Sequence, residues 1–341
     1  MIQKKFLFNF AASYSGGGFK RLDAYAKWFN ENGGATFIIH PNCHYLQNQY
    51  PNNRFILAHQ SKLQRLFNDC GYLENIRKET GVPDVYYSYG IPVYHKFGRI
   101  NWFHLSNVLP LDAWHVPLSL FDRMKLDFLG RRIKRYFKNV DIISAESNFS
   151  LNLIDAEHAS KFCLSVNGSD DELFFLKSDA RTKKDNIAIV LGTYRYKALQ
   201  DSWHVFDMLR VKNPLLKLKI IGDETRIPAN LREDKSIIIT GALPRNKVIE
   251  ELQKSTYYIS TTHIENSYNA ASEGIFFAEE SYISAIGPHQ ELLSGMPFEK
   301  IAVPNMKRSV LRVKRENISP EHLKTWNNVI TEMIEHVAQN V

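Results

Sequence analysis

The feature that most constrains the fold is an alternation of short apolar strands with helical segments, which runs through the chain twice. In the first half, strands are predicted at 5–10, 35–40, 54–58, 84–89, 100–105, 141–145 and 161–166. The first of them leads through a glycine-containing turn to a helix at 19–32. This pattern is typical of a doubly wound parallel sheet, so the sequence predicts an α/β fold.

The alternation restarts after a polar, charged segment at 167–186, where we place a domain boundary. The second half carries predicted strands at 187–191, 216–221, 237–240 and 257–261, with helices at 198–211 and 244–255. The prediction is two Rossmann-like domains, at 1–166 and 167–318. An amphipathic helix at 319–341, with a start signal at Ser319, Pro320 and Glu321, ends the chain.

Composition excludes several classes of protein. No apolar run is long enough to cross a bilayer, and the start of the chain does not look like a secretory signal, so we expect a cytoplasmic protein. Cys43, Cys70 and Cys163 are widely spaced and suggest neither a disulfide framework nor a zinc site. The net charge of +7 indicates an acidic partner, which charge alone does not identify as nucleic acid, anionic membrane or phosphorylated substrate.

The most informative stretch is 257–277, which reads as strand, loop and helix. Two carboxylates stand eight positions apart in it, Glu265 on the loop and Glu273 within the first two turns of a helix that starts near Tyr268. Cap-type side chains lie between them at Asn266, Ser267 and Asn269. A helix N-terminus is an anion site, typically for a diphosphate. Glu273 would then bind a nucleotide sugar's ribose, and Glu265 would face the group being transferred.

The run 265–273, Glu-Asn-Ser-Tyr-Asn-Ala-Ala-Ser-Glu, resembles the Glu-x7-Glu signature of the family 4 glycosyltransferases. These are retaining enzymes of the GT-B fold, so the resemblance implies two Rossmann-like domains facing a central cleft. It also implies that the last helix crosses back to the N-terminal domain. The chain departs from the family at 277–282, where a Gly-x-Pro-Val segment is usual and where this sequence continues Phe-Ala-Glu-Glu-Ser-Tyr before the next strand.

The resemblance implies roles for further residues. Lys197 would neutralise the donor diphosphate on the turn after the strand at 187–191, and Arg195 either takes the place of the usual family arginine there or is simply solvated. His104, at the end of the strand at 100–105, is either a hydrogen-bonded core residue or a site residue near the donor sugar. The turn with Gly16, Gly17 and Gly18 would face donor phosphate and acceptor, or would simply need the conformational freedom of glycine. It lacks the full Gly-x-Gly-x-x-Gly pattern of a dehydrogenase.

A basic amphipathic helix is predicted at 117–138. Its apolar stripe includes Phe121, Met124, Phe128, Ile133 and Phe137. Its cations include Arg131, Arg132, Lys134 and Arg135. Either the stripe packs on the sheet and the cations are solvated, or the helix binds an anionic membrane surface. Nucleic acid is disfavoured because no aromatic stacking platform accompanies the cations.

The sequence therefore predicts a retaining transferase that moves a sugar from a nucleotide-sugar, UDP-linked, to a saccharide or lipid-linked acceptor. The expected setting is surface polysaccharide or lipopolysaccharide synthesis at the inner face of the cell membrane. No Asp-x-Asp metal ligand pair occurs, so catalysis without metal or other cofactor is expected. The alternatives are a nucleotide-sugar epimerase of the same fold, or a non-catalytic basic protein that binds membranes or nucleic acid.

Overall fold

The computed structural model describes residues 4–67, 70–114, 116–169, 185–318 and 323–339, and these form two units. The first unit takes the described residues of 4–113, 118–168 and 324–339. The second takes those of 114–117 and 169–323. Most of the predicted boundary segment, and the predicted helix start at Ser319, Pro320 and Glu321, lie outside the described residues.

The first unit is built on a seven-stranded sheet in the order β3-β2-β1-β4-β5-β6-β7, with every pairing parallel. Its strands are β1 Phe6–Phe10, β2 Thr36–Ile39, β3 Arg54–Leu57, β4 Val85–Tyr89, β5 Ile100–Leu105, β6 Ile142–Ala145 and β7 Phe162–Leu164. The direction of strand addition reverses between β1 and β4, which makes that pair the switch point where open α/β sheets bind ligands.

The second unit carries a mixed sheet in the order β10-β9-β8-β11-β12-β14-β13. Its strands are β8 Asp185–Leu191, β9 Lys217–Ile221, β10 Ile237–Gly241, β11 Ser255–Ser260, β12 Glu280–Ser284, β13 Glu299–Ile301 and β14 Val310–Lys314. The strands from β10 to β12 pair in parallel, while β14 pairs antiparallel with both β12 and β13.

The helices follow the predicted alternation. They are α1 Gly16–Glu31, α2 Leu46–Gln49, α3 Lys62–Phe67, α4 Cys70–Thr80, α5 Leu120–Tyr136, α6 Asn148–Leu151, α7 Leu199–Lys212, α8 Ala229–Arg232, α9 Arg245–Lys254, α10 Asn269–Phe277, α11 Gly287–Leu292 and α12 Trp326–Gln339. Helix α12 packs against α1 in the first unit, where Trp28 Nε1 donates a hydrogen bond of 2.8 Å to Asn327 Oδ1.

Two predicted boundaries are wrong. Helix α1 begins at Gly16 and not at residue 19, so the three glycines form its first turn. A Cβ on Gly18 would lie 3.0 Å from both Ser13 Oγ and the Tyr89 ring, so this turn packs closely on its neighbours. Strand β12 begins at Glu280, inside the segment expected to precede it, because Glu280 already pairs with Tyr257 of β11 and Lys314 of β14.

Candidate functional site

The candidate site lies in the second unit, where two loops leave the carboxyl ends of the adjacent strands β8 and β11. Backbone and side-chain hydrogen bonds join the loops. The His263 N–H donates to the Tyr196 carbonyl at 2.8 Å, and Thr262 Oγ1 donates to the same oxygen at 3.1 Å. Thr261 Oγ1 donates to the Ala198 carbonyl at 3.0 Å. The two loops therefore form one connected platform.

This platform brings together two of the predicted residues. Lys197 Nζ donates a hydrogen bond to Glu265 Oε1, and the two side chains keep only 13% and 18% of their surfaces exposed. The ammonium group also lies 5.7 Å from the centroid of the Tyr196 ring. A partly buried ion pair is held in a defined geometry. The pair therefore fixes one cation and one carboxylate next to each other in the site.

Arg195 differs from Lys197 although it stands on the same loop. Its side chain is exposed, and within the described part of the chain it forms no ion pair or hydrogen bond. The prediction that it takes the place of the usual family arginine stays a prediction.

Helix α10 begins directly after the second loop, with Tyr268 at its N-cap position. The Tyr268 side chain makes no capping hydrogen bond. The helix thus starts where it was predicted, and the cap-type residues Asn266, Ser267 and Asn269 flank its N-cap without occupying it. Asn266 is buried and the other two are half-buried. The N-terminal N–H groups of a helix attract anions whether or not a side chain caps it.

Close packing fixes the position of α10 on the sheet. A Cβ at Gly274 would lie 2.1 Å from the Tyr258 ring of β11, so only glycine allows this approach. The neighbouring Glu273 is 8% exposed. Its Oε2 accepts a hydrogen bond of 2.9 Å from Arg245 Nη1, at the start of α9. Arg245 was not predicted, since it stands 28 residues before Glu273.

Two further contacts around the platform were also missed. His263 Nε2 lies 3.1 Å from Asp201 Oδ2 on α7, and Arg308 Nη1 donates to the His263 carbonyl at 2.8 Å. Both contacts hold the loop that carries Glu265, one from a helix and one from the segment before β14. Their sequence positions carried no motif that could have indicated this role.

His104 lies in the first unit and is completely buried. Its ring stacks on Tyr89 with 5.1 Å between centroids, its Nδ1 is 2.8 Å from Ser144 Oγ, and its Nε2 is 3.5 Å from Glu146 Oε1. Burial and the charge of Arg21 lower the pKa of His104 to about 4, so the ring is neutral at pH 7. Its predicted contact with a donor sugar stays a prediction, since this structure shows the ring in a buried network.

Glu146 and Arg21 complete this network. Burial alone would raise the pKa of the Glu146 carboxyl, but the adjacent His104 ring and the charge of Arg21 hold that pKa below its ordinary value. Tyr89 Oη also donates to Glu146 Oε1 at 3.2 Å. Neither acid nor arginine was predicted, although Glu146 directly follows a strand, where ligand-contacting residues of such sheets stand.

Gly16, Gly17 and Gly18 lie at the same edge of the first sheet, at the start of α1. Gly16 has a φ of +65°, a conformation that glycine adopts without strain. The structural use of the turn is therefore evident, and its contact with donor or acceptor stays a prediction.

Helix α5 lies within the predicted 117–138 segment and divides its apolar stripe in two. Ile133, with Phe137 just beyond the helix, is buried in the first unit. Leu120, Phe121 and Met124 are 75%, 77% and 65% exposed. Only the C-terminal half of α5 therefore packs its apolar side chains into the unit. The N-terminal half of α5 leaves its apolar side chains exposed.

Not all of the cations on α5 are solvated. The Arg132 guanidinium lies 5.2 to 5.8 Å from the ring centroids of Phe67, Tyr94, Phe128 and Tyr136 and donates to the Phe67 carbonyl. Lys134 pairs with Asp155 at 3.1 Å. Arg132 therefore holds α5 in place by cation–π contacts, which a surface role would not require.

Among the residues that the structure describes, no helix combines the length and apolarity needed to cross a membrane. Nor does any group of three or more His, Cys, Asp or Glu side chains there have an arrangement that could hold a metal ion.

Comparison with solved structures finds the same architecture elsewhere. Sucrose-phosphate synthase from Thermosynechococcus elongatus has a TM-score of 0.61 at 11% identity, over 98% of this chain and 95% of that one. A glycosyltransferase from Rickettsia africae has a TM-score of 0.59 at 15% identity, over 86% and 82%. Anabaena HepE, solved with UDP and glucose, has a TM-score of 0.55 at 15% identity, over 85% and 83%.

No protein-family model matches the chain, and no curated protein matches its sequence. At these identities the similarity to solved structures establishes the fold alone. The chain has the GT-B fold, with two α/β units each built around a largely parallel sheet. The predicted fold class is confirmed.

Proposed function

We propose that this protein is a retaining glycosyltransferase that moves a sugar from a UDP-sugar to a saccharide or lipid-linked acceptor. The observation that carries the proposal is the contact of Lys197 with Glu265, beside the start of α10, in the second unit. The resemblance at 265–273 supports it, as do the structural neighbours named for sugar transfer, one of them solved with UDP and glucose. The proposed setting is surface polysaccharide or lipopolysaccharide synthesis in the cytoplasm.

The chemistry follows from charge. Breaking the bond between the anomeric carbon and the diphosphate leaves negative charge on the leaving group and positive charge on the sugar. Lys197 and the N–H groups that begin α10 would stabilise the diphosphate. Glu265 would stabilise the anomeric carbon. Because Lys197 and Glu265 contact each other, the diphosphate and the anomeric carbon would meet them at adjacent points beside the bond that breaks. We propose that these groups act without a metal ion.

Glu273→Ala is expected to weaken the binding of bare UDP and of the UDP-sugar alike, by about 1.5 to 3 kcal/mol. The reason is that Glu273, at the first turns of α10, would accept hydrogen bonds from the ribose hydroxyls of both. Calorimetric titration of wild type and variant with UDP measures the change. Unchanged UDP affinity would remove Glu273 from the site.

Glu280→Ala is a matched control for this experiment. Glu280 is also a partly buried glutamate paired with an arginine in the second unit, but it lies at the start of β12, at the opposite edge of the parallel strands from the candidate site. The control should retain wild-type affinity for UDP.

Titration of the wild type with UDP-glucose, UDP-galactose and their N-acetyl forms then identifies the donor. Analysis of the products formed without acceptor tests the epimerase alternative, since an epimerase would release a new sugar isomer.

We further propose that the enzyme is peripheral, held on an anionic membrane by α5. Leu120, Phe121 and Met124 offer exposed apolar side chains, and the exposed cations Arg131 and Arg135 lie on the following turns of the same helix. An interfacial helix binds by this combination of apolar insertion and attraction to anionic lipid. A lipid-linked acceptor would be presented at the same surface.

Replacing Arg131 and Arg135 by Gln should weaken sedimentation with phosphatidylglycerol-containing vesicles by roughly 30-fold, given about 1 kcal/mol for each cation. Replacing Phe121 and Met124 by Ser should also weaken it, and added salt should mimic only the first change. Val211→Ser with Leu215→Ser is the control, because these residues are 81% and 77% exposed in the second unit. Salt-insensitive sedimentation, or equal loss in the control, would contradict membrane binding by α5.

A further inference from the structure

A cavity of about 350 Å³ opens in the first unit at the switch point of its sheet. Two loops form it, one after β1 with Ala12 and Tyr14, the other after β4 with Gly90, Ile91 and Pro92. Gly90 has a φ of +73°, and a Cβ there would lie 2.1 Å from Ser106 Oγ, so glycine is required for this turn. The volume is at the lower end of the range typical of small-molecule sites.

Most of the wall is apolar, with Ile91, Pro92 and Leu129 on it. Its charged member is Arg65, on α3, which is 9% exposed. Its Nη1 donates a hydrogen bond of 3.0 Å to the Ala11 carbonyl, and its own carbonyl accepts from Tyr94 Oη at 2.7 Å. Both ends of the residue are thereby held, and the guanidinium is fixed at the cavity.

The described residues provide no counter-charge for Arg65. Within the described part of the chain no carboxylate forms an ion pair with it, in contrast to Arg21, which has Glu146 nearby. Burial lowers the pKa of Arg65. A buried cation is normally paired, because removing a charge from water is unfavourable unless an opposite charge replaces the solvent. A guanidinium also offers five N–H donors, and the Ala11 carbonyl accepts from only one of its nitrogens, Nη1.

We propose that this cavity binds a saccharide that carries a phosphate or carboxylate group, and that Arg65 pairs with that anionic group. The inference rests on the proposed function to the extent that this saccharide is the acceptor. The planar guanidinium suits both anions, since phosphate and carboxylate each offer two oxygens to its parallel N–H groups. The mainly apolar wall with one fixed cation suits a ligand of sugar size with a single anionic group.

Calorimetric titrations with glucose, glucose 6-phosphate, glucuronate and inorganic phosphate test the proposal, without UDP present. The wild type should bind glucose 6-phosphate or glucuronate about tenfold or more tightly than glucose, as expected for a charge-assisted hydrogen-bonded pair. The two anionic sugars distinguish a phosphate from a carboxylate ligand. Arg65→Gln should abolish the preference, and Arg65→Lys should retain part of it.

Arg54→Gln is the matched control, since Arg54 is a first-unit cation that is exposed and paired with Glu79. It should leave the preference unchanged. Equal wild-type binding of glucose and both anionic sugars would overturn the proposal, as would a preference that survives in Arg65→Gln. Binding of inorganic phosphate as tight as that of glucose 6-phosphate would overturn its saccharide part. Failure of the wild type to bind UDP, measured separately, would instead overturn the proposed function.

Discussion

Glu265→Gln is expected to transfer sugar about tenfold more slowly or worse, while bare UDP binds with unchanged affinity. Glutamine keeps the volume of the side chain and can still accept the hydrogen bond from Lys197, so the platform of the two loops should survive. What it lacks is the negative charge that would stabilise the anomeric carbon. An interaction that strengthens only in the transition state lowers turnover and leaves ground-state binding intact.

The measurement is single-turnover transfer together with calorimetric titration of UDP, on the wild type and the variant. Glu251→Gln serves as the control, because the second unit repeats the arrangement there: Lys219 donates to Glu251, with 13% and 25% of the side chains exposed. That pair joins β9 to α9 away from the candidate site, so its loss should not slow transfer. Full activity in Glu265→Gln, or loss of wild-type activity in chelator, would contradict the mechanism.

Arg21→Met is expected to lower the free energy of unfolding by about 3 to 5 kcal/mol, the range for removing one partner from a buried charged network. The Arg21 side chain is fully buried on α1. It donates to the carbonyls of Ser165 and Val166 at 2.8 and 3.0 Å and to Asn167 Oδ1 at 3.1 Å. Without it these acceptors lose their donor, and Glu146 stays buried without a cation nearby.

Urea unfolding of the purified protein measures this loss. Lys27→Met is the control, since Lys27 is an exposed cation on the same helix and its replacement should change stability by less than about 0.5 kcal/mol. If Arg21→Met does not fold, Asn167→Ala offers a milder test, because it removes only one acceptor of the guanidinium. Wild-type stability in both variants would show that the network contributes little.

The parts of the fold that the sequence predicts are those with a local signal. The strands at 100–105 and 237–240 are apolar runs with clear ends, and the structure finds β5 and β10 there within a residue. Strands β13 and β14 were missed because they are short and carry charges, as at Lys300 and Arg312, and are specified by antiparallel pairing with each other and with β12. Pairing partners far apart in sequence leave no periodic pattern.

The candidate site shows the same limit. Glu265 and Glu273 were predicted because they stand in one short run, and Lys197 because its turn resembles that of a known family. Arg245 and Arg308 beside this site, and Arg65 at the cavity of the first unit, were not predicted, since each contacts a partner that only the fold brings near. A lone arginine in a sequence does not reveal whether it is solvated, like Arg195, or enclosed, like Arg65.

The position of helix α12 in the chain determines the order in which the hydrophobic cores of the two units can be completed during translation. Its side chains Trp326, Val329, Ile330, Met333 and Val337 belong to the core of the first unit, beside Tyr25 and Phe29 of α1. The ribosome makes residues 185–318 before it makes 326–339. The described strands and helices of the second unit are therefore synthesised while the core of the first unit still lacks α12. The first unit is therefore completed after the second, and the apolar face of α1 stays uncovered until α12 has been made.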